Sequence, residues 1–99
     1  MYSPDELKSL HGFVKATGEG NLKKMMVGGA MTDVHVNMLV KCVRGCTEDE
    51  FATHWEAGTF PKVKFSPNEK AIQEKCYGVW AEACAKLGLL SSKAAKKAA

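Results

Sequence analysis

A chain of 99 residues, 45% apolar and 25% charged, has the make-up of one ordinary globular domain and is too short for a second domain with a deep cleft between the two. Its formal net charge of +3 comes from Lys93, Lys96 and Lys97 in the terminal SSKAAKKAA. The 14 basic residues fall to 11 without them and equal the 11 acidic ones. A neutral body of this kind argues against a domain that grips duplex nucleic acid through a strongly basic face. With no long apolar run and no leader pattern, the expectation is a cytoplasmic protein without a membrane span.

Ser3-Pro4-Asp5-Glu6 predicts a helix start, with serine at the cap, proline in the first turn and glutamate three residues after the cap. Leu7, Leu10, Phe13 and Val14 follow at helical spacing, and the helix is expected to end near Ala16, before Gly18 and Gly20. Asn21 is the predicted cap of a short helix carrying Leu22, Met25 and Met26, stopped at Gly28-Gly29.

The run TDVHVNMLVKCVRG fits two patterns. Val34, Val36, Met38, Val40 and Cys42 alternate as in a strand, while His35, Leu39, Cys42 and Val43 fit a helix face. A dozen residues ending in Lys, Arg and Gly favour a largely buried central helix. Thr47-Glu48-Asp49-Glu50 predicts a second capped helix, with Phe51 and Trp55 inward, His54 a further candidate for that face, and Gly58 as its stop. Pro61 and the alternation of Lys62 and Lys64 predict an extended segment over 59–65.

Ser66-Pro67-Asn68-Glu69 repeats the first start signal. The last helix is read from Ile72, Cys76, Val79, Trp80, Ala83, Cys84 and Leu87, a broad apolar face ended at Gly88. The expected architecture is all-α: a compact single-domain bundle of four to five short helices over residues 1–90, then a Lys/Ala tail over 91–99 that has nothing to bury. The alternative is α+β, with strands near 34–43 and 60–65.

Four cysteines in a chain without a leader predict free thiols in a reducing compartment. His35, Cys42, Cys46 and His54 have zinc-ligand chemistry, but their spacing matches neither paired CxxC knuckles nor a finger with a terminal histidine pair. Cys42, Cys76 and Cys84 sit within apolar patterns and read as core. Cys46 stands at a helix N-terminus, where the helix dipole lowers a thiol pKa, yet three carboxylates follow at once and act against it. No phosphate loop, nucleophile elbow or metalloprotease motif is present. Neither catalysis, nor a metal, nor any other cofactor is expected.

The segment HWEAGTFPKVKFSP, through Gly58, Phe60, Pro61, Lys62 and Lys64, resembles the stretch in AlpA-type phage regulators where a recognition helix runs through Gly-x-Phe-Pro into a basic strand. The resemblance implies a DNA-binding phage-type transcriptional regulator, which here would use Lys62, Lys64 and the tail residues Lys93, Lys96 and Lys97. The chain departs from that pattern in the helix itself: Glu48, Asp49, Glu50 and Glu56 stand there without a single Lys or Arg, and would meet phosphates with repulsion.

The favoured expectation is therefore a non-enzymatic regulator, inhibitor or adaptor that binds another protein, or a second copy of itself, through a helical surface. Met25, Met26 and Met31, crowded beside Gly28-Gly29, are the candidate adaptable contacts. Glu48, Asp49 and Glu56 offer a charged face to a basic partner.

Overall fold

Three helices begin with the same device. In the computed structural model, which describes residues 2–90, Ser3, Thr47 and Ser66 each accept a hydrogen bond from the amide three residues on, and Glu6, Glu50 and Glu69 reach back to the amide of the cap. Each box satisfies amides that a helix start leaves without a partner. The helices are α1 (Pro4–Thr17), α2 (Glu19–Met26), α3 (Asp33–Arg44), α4 (Glu48–Ala57), α5 (Pro67–Ile72) and α6 (Cys76–Lys86), with a single 3-10 turn (Gln73–Lys75) joining the last two. The protein is all-α.

The α+β alternative fails. Residues 34–43 lie within α3, and residues 60–65 form no strand but bend at Lys62, where the Val63 amide donates to the Pro61 carbonyl at 2.8 Å. Among the described residues the strand-type pairing is the bridge between Gly28 and Met31. The double pattern in 34–43 has a physical cause: α3 is the central helix, in contact with α1, α2, α4, α5 and α6. Val36, Met38, Leu39, Val40, Cys42 and Val43 are all buried, so apolar residues occur around most of its circumference and satisfy either period.

Two boundaries differ from the sequence reading. Gly18, with φ 86°, ends α1 and opens α2, and Asn21 is an interior residue of α2 whose amide group donates to the Thr17 carbonyl at 3.3 Å. Gly20 therefore sits inside a helix. The predicted last helix is broken at residues 73–75, which leaves α1, at 14 residues, as the longest α-helix described.

Aromatic rings hold the centre. Trp80 is fully buried on α6 and lies 5.9 Å from Trp55 of α4 and 5.1 Å from Tyr77. Phe60, in the segment that joins α4 to α5, stacks on Tyr77 at 4.7 Å and 17° and meets Phe65 edge-on. The Tyr77 hydroxyl donates to the Thr59 carbonyl. Pro61 is buried and Lys62 and Lys64 face outward. Segment 59–65 is thus pinned to the core by rings, and it crosses close over the end of α3: a β-carbon built on Gly45 would lie 2.3 Å from Val63 Cγ1.

Candidate functional site

Exposed apolar side chains are informative where they gather in one place rather than lie singly. Among the described residues the exposed ones are Met25, Val27 and Leu87, at 43%, 44% and 38% exposure. All three border one groove of about 330 Å³ between the end of α2, the turn over 28–31 and the outer side of α6.

The local chemistry of both walls explains the groove. α2 ends at Val27, whose backbone leaves the helix at ψ 130°. Gly28 at φ 151° and Gly29 at φ 55° then reverse the chain, which an L side chain at Gly29 would resist. Gly28 and Met31 exchange both main-chain hydrogen bonds, at 2.8 and 3.0 Å, and close the turn. On the other wall, Cys76, Trp80 and Cys84 form a fully buried stripe at i, i+4, i+8. The parallel stripe of Val79, Ala83 and Leu87 runs beside it and emerges from half-buried to exposed. The apolar face of α6 is wider than the core beneath it. Leu87, expected inward, is therefore outside.

The charged residues that line the groove are balanced. Lys86 pairs with Glu82 at 3.7 Å on α6, and on the α2 side Lys23 pairs with Glu19 at 3.5 Å away from the lining. Both are exposed helix pairs of small energetic weight. The groove thus presents apolar surface without a dominant charge.

The methionines divide. Met25 is exposed, while Met26, Met31 and Met38 are core residues at 5%, 2% and 0% exposure. The expectation of a surface built from Met25, Met26 and Met31 is corrected to one exposed methionine over two that form the groove's floor. Val27 and Leu87 were missed. Val27 is hidden in sequence because it follows the periodic part of α2, and Leu87 because its spacing fits the core stripe.

The acidic residues of α4 lie elsewhere. Asp49 pairs with Lys8 at 2.8 Å, the Glu50 carboxylate is engaged at the helix cap, and Glu48 and Glu56 are exposed. None of them lines the groove that the methionines border. Lys93, Lys96 and Lys97 lie outside the described residues.

The sulfur and imidazole groups are individually engaged. His54 Nδ1 is 2.7 Å from Thr59 Oγ1. The Cys46 thiol donates to the Cys42 carbonyl at 3.1 Å, and burial together with Glu50 raises its pKa. Cys46, Glu50, His54 and Lys62 do border one cleft of about 380 Å³, but a thiol held in its neutral form there is a poor nucleophile. Burial pushes the Cys42, Cys76 and Cys84 thiols up to about 12. No group of three or more His, Cys, Asp or Glu side chains among the described residues is gathered as a metal would need, and no described helix is long and apolar enough to cross a membrane.

The chain matches no family model, no curated protein and no solved structure.

Proposed function

We propose that this protein is a non-enzymatic binding protein, a regulator, inhibitor or adaptor, that takes an apolar segment of another protein into the groove between α2 and α6. The observation that carries this reading is the gathering of Met25, Val27 and Leu87 on one concave surface. Scattered single apolar residues are normal on a protein surface, and the gathering of these three in one concavity is what supports an interaction site here. The Met25 side chain, unbranched and polarisable, adapts to differently shaped partners. The four free cysteines fit a reducing, cytoplasmic setting.

The test is affinity capture with the intact protein and two surface variants of equal thermal stability. Val27→Glu with Leu87→Glu places charge in the groove, and Glu48→Gln with Glu56→Gln alters the acidic face of α4. A partner held by the wild type and the α4 variant, and held at least tenfold more weakly by the groove variant, supports the reading. Equal retention by all three overturns it. Light scattering across a concentration series identifies a second copy as the occupant if the mass rises for the wild type alone.

A further inference from the structure

Helix α3 starts with a histidine where the other capped helices carry glutamate. His35 occupies the third helical position, and its Nδ1 receives the Thr32 main-chain N–H at 3.1 Å and lies 2.8 Å from the Thr32 hydroxyl. An amide nitrogen donates and never accepts, so Nδ1 must hold a lone pair and the ring proton must sit on Nε2. A glutamate accepts such a bond across the whole neutral range, whereas a histidine accepts it only while uncharged.

We infer that the neutral ring of His35 is a pH-sensitive latch that holds the N-terminus of α3 and the 28–31 turn before it, and that acid releases both. Protonation turns Nδ1 into a donor facing a donor. The Thr32 hydroxyl can rotate and accept the new proton, but the amide cannot, so the main-chain bond is lost. The released residue is coupled to the groove. Thr32 follows Met31, Met31 is buried and closes the turn with Gly28, and residues 28–31 form one wall. His35 is also tied to the core by its carbonyl, which accepts the Trp80 indole N–H at 3.0 Å. The latch therefore frees the start of the helix without releasing its body.

The surroundings set the direction. The ring is buried and borders a cleft of about 310 Å³ whose far side carries Glu74 and Lys75, one charge of each sign. Asp33 lies on its own first turn. From α6 it faces the uncharged Val79 across the same cleft, and the uncharged Trp80 bonds the main-chain carbonyl of the same residue. Burial lowers the His35 pKa from its ordinary 6.5. A ring that takes up its proton more readily when unfolded favours the unfolded state as pH falls below that value, so the stability it supports is complete above 6.5 and is lost on acidification. This inference stands on the cap geometry and does not require that the groove bind anything.

The experiment is a nuclear magnetic resonance titration of the labelled full chain from pH 7.5 downward. The His35 ring should titrate with a midpoint below 6.5, and the amide signals of Gly28, Met31 and Thr32 should move with that same midpoint. In His35→Gln, whose side-chain oxygen accepts the Thr32 amide at any pH, those amides should lose that transition. In Thr32→Val, where no hydroxyl receives the proton, the ring midpoint should fall further. The latch is overturned if the three amides ignore the His35 titration in the wild type, or follow an unchanged transition in His35→Gln. Should His35→Gln fail to fold, the wild-type titration and Thr32→Val decide alone.

Discussion

The Trp80 indole donates its N–H to the main-chain carbonyl of His35 at 3.0 Å, joining α6 to α3 inside the core. One side chain there supplies both volume and a satisfied buried donor, so two substitutions separate the contributions. Trp80→Phe should cost about 1–3 kcal/mol, from the lost hydrogen bond and part of the ring, and Trp80→Ala about 3–5 kcal/mol. Urea unfolding measures both. A loss below about 1 kcal/mol for Trp80→Ala would place the ring outside the cooperative core.

Thiol chemistry reads the burial pattern directly. In the folded protein Cys46, the half-buried thiol, should react first with a disulfide reagent, and Cys42, Cys76 and Cys84 only on unfolding. The three buried thiols ionise near 9 when unfolded but near 12 in place. The unfolded chain releases their protons first, so stability should fall as pH rises above about 9. Rapid labelling of two or more thiols in the native protein would contradict the structure.

Glu69 is buried, which pushes its carboxyl pKa up, yet the Lys41 ammonium at 2.6 Å and the Ser66 amide at 2.7 Å outweigh burial and hold it below the ordinary 4.5. The stability it contributes is present above 4.5 and is lost as pH falls through the lower, folded value. Lys41→Met strands the carboxylate and should cost about 1–3 kcal/mol near neutrality, at the lower end of buried pairs because Lys41 is half open to water. Glu69→Gln should flatten the stability curve below pH 4.5, followed by thermal unfolding across a pH series.

Segment 59–65 separates ring packing from charge. Phe60→Ala removes the stack on Tyr77 and should cost about 2–4 kcal/mol. Lys62→Ala with Lys64→Ala should change stability by less than about 0.5 kcal/mol, as solvated lysines do. Duplex binding by the chain ending at Leu90 should be undetectable at physiological salt, since that body is neutral and α4 is acidic. Tight, sequence-selective binding would restore the DNA-binding alternative.

Legibility followed the range of the interaction. The starts at Ser3, Thr47 and Ser66 were readable because a cap and its glutamate lie three residues apart. The core stripe of Cys76, Trp80 and Cys84 was readable because helical period is local. The start at Thr32 was not legible as a cap box, since its third residue is a histidine whose tautomer only the fold determines. Nor was the division between Met25, which lies outside, and Met26 and Met31, which lie inside, because methionine suits both places and the position of α6 decides. Gly20 misled because the chain break needs one glycine, at Gly18, and the other is carried within the next helix. The groove depends on two segments sixty residues apart in sequence, and no local pattern brings Leu87 to Val27.

Gly45 carries a consequence for any survey of sequence tolerance. Its backbone, at φ −86° and ψ −3°, is that of the third residue of a type I turn and does not itself require glycine. The prohibition comes from Val63 above it and from the Lys41 carbonyl, 3.0 Å from where a β-carbon would sit. A saturation scan will therefore find a solvent-facing position, remote from the groove, that rejects even alanine. By tolerance alone it would pass for part of an active centre, although all it protects is the clearance beneath a crossing strand of chain. Val63→Ala, by removing the nearer obstacle and leaving only the tight approach to the Lys41 carbonyl, should ease alanine at 45 and expose that intolerance as a matter of space.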